Sequence, residues 1–141
     1  MILKIKESLE KVLVELSLPA VEIKLDFPED FNHGTYSTNV AMMLAKPVGK
    51  KPVYLANEIV EKINEQKITG VAKVEVASPG FINFFLTPEF LVSVVGEINR
   101  MGKSYGKNKN RAGQKVLVEY TQPNPFKEFH IGHLVNNIIG E

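Results

Sequence analysis

From about residue 103 to 114 the chain loses the hydrophobic periodicity that runs through the rest of it. This stretch is basic and rich in Gly and Asn, a composition that supplies no apolar side for a helix or strand to bury. A chain of 141 residues holds one ordinary domain and the start of another. The break therefore divides it into a domain over residues 1–105, a basic linker over 106–114 and a new beginning over 115–141. Six basic residues (Arg100, Lys103, Lys107, Lys109, Arg111 and Lys115) fall between Glu97 and Glu119 with no acid among them. The formal net charge is only +1, so attraction to a nucleic acid has to come from this cluster and not from the molecule as a whole. A solvated linker is the other reading of such a charge run.

Ahead of the break the periods are clear. Ile2, Ile5, Leu9, Val12, Leu13 and Leu16 recur at helical spacing, predicting an amphipathic helix that Pro19 ends. Val21, Ile23 and Leu25 alternate with Glu22, Lys24 and Asp26, the period of a half-buried strand. A polar loop follows to about Thr35, in which His33 reads as a turn or surface residue. Val40, Ala41 and Leu44 predict a short helix stopped by Pro47 and Gly49. Pro52 then suits a first helical turn, with Leu55, Ala56, Ile59 and Ile63 as the buried stripe of a helix that pairs with the preceding one.

Ala72, Val74 and Val76, then Ile82, Phe84 and Leu86, alternate on either side of Ser78-Pro79-Gly80 and predict a β-hairpin. Phe81 and Phe85 make its second strand aromatic on both faces. Either neighbouring loops bury them, or Phe81 beside Asn83 forms a stacking platform with a base-edge reader for an unpaired nucleotide. Thr87-Pro88-Glu89 starts a helix that would bury Leu91, Val94, Val95 and Ile98 and stop at Gly102. The fold class is α+β, a small and mostly antiparallel sheet with helices on one face.

Cys is absent, which removes disulfides and thiolate metal sites and fits a reducing cytoplasm. The charged N-terminus is not a signal peptide, and no apolar run is long enough to span a bilayer. No Ser-His-Asp set, Walker A loop or Gly-x-Gly-x-x-Gly is present.

After the break, Val116-Leu117-Val118 is apolar on both faces, as in the first strand of a parallel sheet covered by helices on each side. A loop with Pro123 and Pro125 leads into His130-Ile131-Gly132-His133 at the start of a helical pattern. A helix start offers unpaired N–H groups and the positive end of a dipole, which suit phosphates. His130 and His133 add donors, and Gly132 lets a flat base or ribose approach the backbone. Two His at this spacing could also begin a zinc site, but further ligands are lacking and no bound metal is expected.

His-Ile-Gly-His resembles the signature of the class I aminoacyl-tRNA synthetases, and its flanks resemble one branch of them. Glu119-Tyr120-Thr121-Gln122-Pro123-Asn124 ahead of His130 is similar to the arginyl-tRNA synthetase segment. Asn32 to Ala41 and Ala77 to Phe84 resemble two landmarks of the additional N-terminal domain of that family. The family often has Arg after His-x-Gly-His-Leu; this chain has Val135, and no phosphate contact is carried over there.

The resemblance implies the front portion of an enzyme that charges tRNA(Arg) with L-arginine, using ATP with accompanying Mg2+ and passing through an arginyl-adenylate. It implies a Rossmann-like catalytic domain beginning at about residue 115. His130 and His133 would stabilise phosphate charge in catalysis, and Gly132 would make room for the adenosine. Glu119 would face the guanidinium of arginine, with Thr121 and Asn124 at its other end. Phe81, Asn83, Lys103, Lys107 and Lys109 would contact tRNA, the N-terminal module lying at its D-loop corner.

A second pyrophosphate-gripping signature, the rest of the arginine pocket and anticodon-binding helices are not in these residues, so the chain alone is not expected to aminoacylate. The parent is expected to be a cytoplasmic monomer. The rival readings are a stand-alone RNA-binding module without catalysis and a nucleotidylyltransferase. The latter shares the His-x-Gly-His geometry but normally begins near its signature strand.

Overall fold

A computed structural model describes all 141 residues, which divide into two compact units, Met1–Lys103 and Ser104–Glu141. The first opens with α1 (Ile2–Glu15), which buries Ile5, Leu9, Val12 and Leu13. The other long helix of the core, α3 (Pro52–Gln66), begins on its proline and buries Leu55, Ala56, Ile59 and Ile63, the stripe that the spacing predicts. Ser8 Oγ donates to Gln66 Oε1 at 2.6 Å and ties the two helices together near the end of α3. Between them, the short α2 (Val40–Ala45) packs on α3.

The sheet has three strands, β1 (Tyr36–Thr38), β2 (Val71–Ala77) and β3 (Phe81–Leu86), in the antiparallel order β1-β3-β2. The hairpin β2–β3 closes at Ser78–Gly80, where Gly80 N–H donates to the Ala77 carbonyl. Period-2 sidedness then decides the rest. Ile82 and Phe84 are fully buried in a core shared with α1, α2 and α3, while Phe81, Asn83 and Phe85 point to the opposite face. This is the expected α+β arrangement. A bulge between Val71 and Lys73 leaves Ala72 exposed, out of the predicted alternation. Gly34, at φ +87°, leads into β1 so tightly that a Cβ there would lie 2.7 Å from the Phe84 carbonyl oxygen, which Thr35 N–H also meets at 2.8 Å.

Three expectations are corrected. Residues 21–25 do alternate in burial, with Ile23 buried and Glu22 and Lys24 exposed, but they form no strand, and only Asp26 pairs, with Ser37. Alternation reports which side a residue faces and does not supply a ladder partner. The helix predicted after Thr87, α4 (Pro88–Met101), forms and is capped by Thr87, whose hydroxyl accepts from Phe90 N–H at 3.2 Å. None of its residues is fully buried: Phe90, whose ring lies against Gly70, and Val94 are half-buried, while Leu91, Val95 and Ile98 are exposed, because the first unit covers only part of that stripe. In the second unit Val116-Leu117-Val118 carries no ladder, and Leu117 is 94% exposed. A strand exists only through a neighbour's hydrogen bonds, and this unit contains no other strand. Its one helix is α5 (Ile131–Gly140).

Candidate functional site

On the face of the sheet away from the helices lies a groove of about 330 Å³, lined chiefly by Asp26, Pro28, His33, Ser37, Phe81 and Asn83. Its floor follows from strand pairing. The N–H and C=O of Ser37 both bond to Asp26, at 2.9 Å each. Towards β3, Ser37 is therefore the non-hydrogen-bonded partner of Asn83, the arrangement that brings side chains closest. Ser37 Oγ donates to Asn83 Oδ1 at 2.7 Å.

Asn83 is thus only 4% exposed, not an open surface amide as its neighbour Phe81 suggested, yet it still lines the groove. Phe81 is 37% exposed and forms a flat apolar wall. No loop covers Phe85 completely; the Lys73 ammonium sits 4.4 Å from its ring centroid. His33, read from sequence as a turn or surface residue, also lines the groove, brought there by the single turn Phe31–His33 that the Asp30 carboxylate caps at Asn32 N–H, 2.8 Å away. That bond holds the Asp30 pKa below its ordinary value. An aromatic wall, an amide and an imidazole around a groove of this size suit one unpaired base.

The basic residues are placed simply. Lys103 lies in the turn that closes the first unit, and Lys107 and Lys109 lie in the second; all are exposed and none forms an ion pair.

In the second unit the His-Ile-Gly-His segment does form a helix start. His130 is the N-cap of α5 and its Nδ1 accepts from Gly132 N–H at 3.1 Å, while His133 Nδ1 accepts from His130 N–H at 3.2 Å. This is a capping box built from two imidazoles, which stack with centroids 3.9 Å apart. Because each Nδ1 accepts, each ring carries its proton on Nε2, so both rings keep a donor for a ligand. A Cβ on Gly132 would lie 2.9 Å from the His130 ring, so the room made by this glycine is taken by that imidazole and not left open to a base.

The three residues assigned to arginine do not converge on one pocket. Glu119 lines a shallow groove with Tyr120, Gln122 and Asn136; Thr121 Oγ1 donates to Asn137 Oδ1 at 2.8 Å; and Asn124 Oδ1 accepts from Phe126 N–H at 3.0 Å in a turn.

The sequence model of the family described as the arginyl tRNA synthetase N-terminal domain matches residues 2–86. The chain belongs to the arginyl-tRNA synthetase family. A second match, to the catalytic domain of the class I tRNA synthetases of the arginine type, covers residues 95–141 and begins within α4. Among arginine–tRNA ligases, that of Staphylococcus carnosus is 42% identical over 120 residues, 85% of this chain and 22% of the relative. That of Magnetococcus marinus is 44% identical over 119 residues, 84% of this chain and 20% of the relative. The Thermus thermophilus arginyl-tRNA synthetase structure aligns with a TM-score of 0.53 at 27% identity, over 96% of this chain and 21% of its own. The Plasmodium falciparum structure shares the fold, with a TM-score of 0.60 at 22% identity over 97% of this chain and 26% of its own. The chain thus spans about a fifth to a quarter of the length of these synthetases.

Proposed function

We infer that these residues form the leading part of an enzyme that charges tRNA(Arg) with arginine, as a monomer in the cytoplasm. The observation that carries this reading is the pair of family matches, over 2–86 and 95–141, in the order N-terminal domain and then catalytic domain. The reaction joins an arginine carboxylate oxygen to the α-phosphorus of ATP as the bond to pyrophosphate breaks. The arginyl group then passes from the adenylate to tRNA, releasing AMP. ATP brings Mg2+ with it as part of the substrate.

The contribution of this chain to the first step is positioning and charge stabilisation. His130 and His133 present Nε2–H donors to the phosphates at the positive end of α5, and Gly132 shapes that turn. Glu119, Thr121 and Asn124 contribute to the arginine site. The groove at Phe81 and Asn83 takes an unpaired D-loop nucleotide, and Lys103, Lys107 and Lys109 meet phosphates. The 141 residues alone bind tRNA without charging it. No helix in the chain is long and apolar enough to cross a membrane.

Arginine-dependent pyrophosphate exchange by the full-length protein, with tRNA present, tests the reading. Replacing His130 or His133 by Ala should lower the rate by roughly 10²-fold or more. Phe81→Ala should weaken tRNA binding by about 1–3 kcal/mol, and neutralising the three lysines should flatten its salt dependence. Equal exchange with lysine or glutamine would contradict the assignment.

A further inference from the structure

Helix α5 turns its polar and small residues, and not its apolar ones, towards the segment that precedes it. Ile131, Leu134, Val135, Ile138 and Ile139 are exposed, whereas His133, Asn137 and Gly140 are half-buried. Positions i, i+4 and i+7 form one row along a helix. What covers that row is the run after Val118. Thr121 Oγ1 meets Asn137 Oδ1 at 2.8 Å, and the Tyr120 side chain lies directly on Gly140. One step back along the run thus matches one turn forward along α5, and Glu119 comes to line a groove with Asn136, Ile139 and Gly140. Glu119 forms no ion pair within the chain, so its carboxylate is open to a cation from outside.

Gly140 is the tightest point of this contact. A Cβ built there would fall inside the Tyr120 side chain, 2.7 Å from Cδ2 and nearer still to Cβ and Cγ. Its φ lies outside the left-handed region, so no turn calls for glycine, and glycine is among the poorest helix formers. The close approach accounts for it, the same use of glycine that lets a helix pack onto its preceding strand in dinucleotide-binding folds. Gly96 in α4, with nothing within 4 Å, makes no such contact.

The structure assigns Asn137 and Gly140 as positioning residues for the arginine site: by holding Thr121 and Tyr120 on the row that carries His133, they set where Glu119 stands relative to the phosphate end of the helix. His133 lies about 10 Å along the axis from Gly140. Joining a carboxylate to the α-phosphorus depends on such a spacing, since a misplacement of about 1 Å can cost about 10²-fold in rate. The inference rests on the reading of Glu119 as the contact to the arginine guanidinium and adds the residues that place it.

The test is arginine-dependent pyrophosphate exchange by the full-length protein with tRNA present, read as separate KM values for arginine and for ATP. Gly140→Ala should raise the KM for arginine about tenfold or more and leave that for ATP within about twofold. In a Tyr120→Gly background the same substitution should add less than about twofold, because the side chain it strikes is gone. Asn137→Ala, which removes only the tie to Thr121, should raise the KM for arginine about threefold or more, and it decides the matter if Gly140→Ala does not fold. An unchanged KM for arginine in folded Gly140→Ala or Asn137→Ala, or both KM values raised together, would overturn the assignment. So would an equal effect of Gly140→Ala in the Tyr120→Gly background. Glu119→Gln separates this result from the reading beneath it: an unchanged KM for arginine in that variant would remove Glu119 from the arginine site, whatever Gly140 does.

Discussion

Helices α3 and α4 carry nearly the same message and meet opposite fates. Each begins on a proline and repeats apolar residues at helical spacing, yet α3 buries its stripe completely while α4 has no fully buried residue. The difference is the partner. Helix α3 lies against α1, α2 and the sheet, whereas α4 is covered only in part, at Phe90 and Val94. An amphipathic pattern thus states that a face needs covering and is silent on what covers it. The same contrast separates Phe84 from Leu117: both are large and apolar, but Phe84 has a sheet and helices around it, and Leu117 has no strand beside it to pair with.

Truncation experiments should therefore divide sharply along this line. Phe84→Ala, at a fully buried site, should cost about 3–5 kcal/mol of unfolding free energy in urea. Leu91→Ala or Leu117→Ala should stay within about 0.5 kcal/mol. A cost at Leu91 approaching that at Phe84 would break the comparison, since α4 would then be part of the core.

A smaller effect is expected at Gly34. Alanine there combines a positive φ with a Cβ pressed on the Phe84 backbone and should cost about 1–3 kcal/mol. Alanine at Gly113, also at positive φ but with nothing within 4 Å, should cost less because only the backbone term remains. Equal costs in urea unfolding would mean that the contact between Gly34 and β3 is slack.

The smallest effect concerns the turn beside the groove. The pKa of Asp30 is lowered chiefly by the N–H of Asn32, so this cap is complete above the ordinary Asp value near 3.8 and is lost as pH falls below it through the folded value. The carboxyl is fully exposed, and the loss should appear locally, as shifted amide resonances of Phe31 to His33 in an acid titration, and not as global unfolding. Asp30→Asn should abolish that titration step.

The parts that could be read in sequence were those set by local spacing. Leu55, Ala56, Ile59 and Ile63 announced α3, and Ser78-Pro79-Gly80 between two alternating runs announced the hairpin. The pairing of β1 could not be read, because three residues carry too little periodicity and their partners in β3 lie far along the chain. For the same reason Phe81 and Asn83 stood out as candidates while Ser37, Asp26 and His33 did not: only the antiparallel register brings them to one groove. The mutual capping of His130 and His133 had a signal that could have been used. Two residues able to accept at N-cap and N3 form the spacing of a capping box, hidden here because His replaces the usual Ser and Glu.

Amide hydrogen exchange on the chain at a concentration where it is monomeric tests the central contrast most directly. The account predicts that amides of Ile82 to Phe84 in β3 and of the middle of α3 exchange only through global opening, while those of Val116 to Val118 exchange at rates close to an unstructured peptide. Strong protection of Val116 to Val118 in a proven monomer would contradict it, because those residues would then belong to a finished fold.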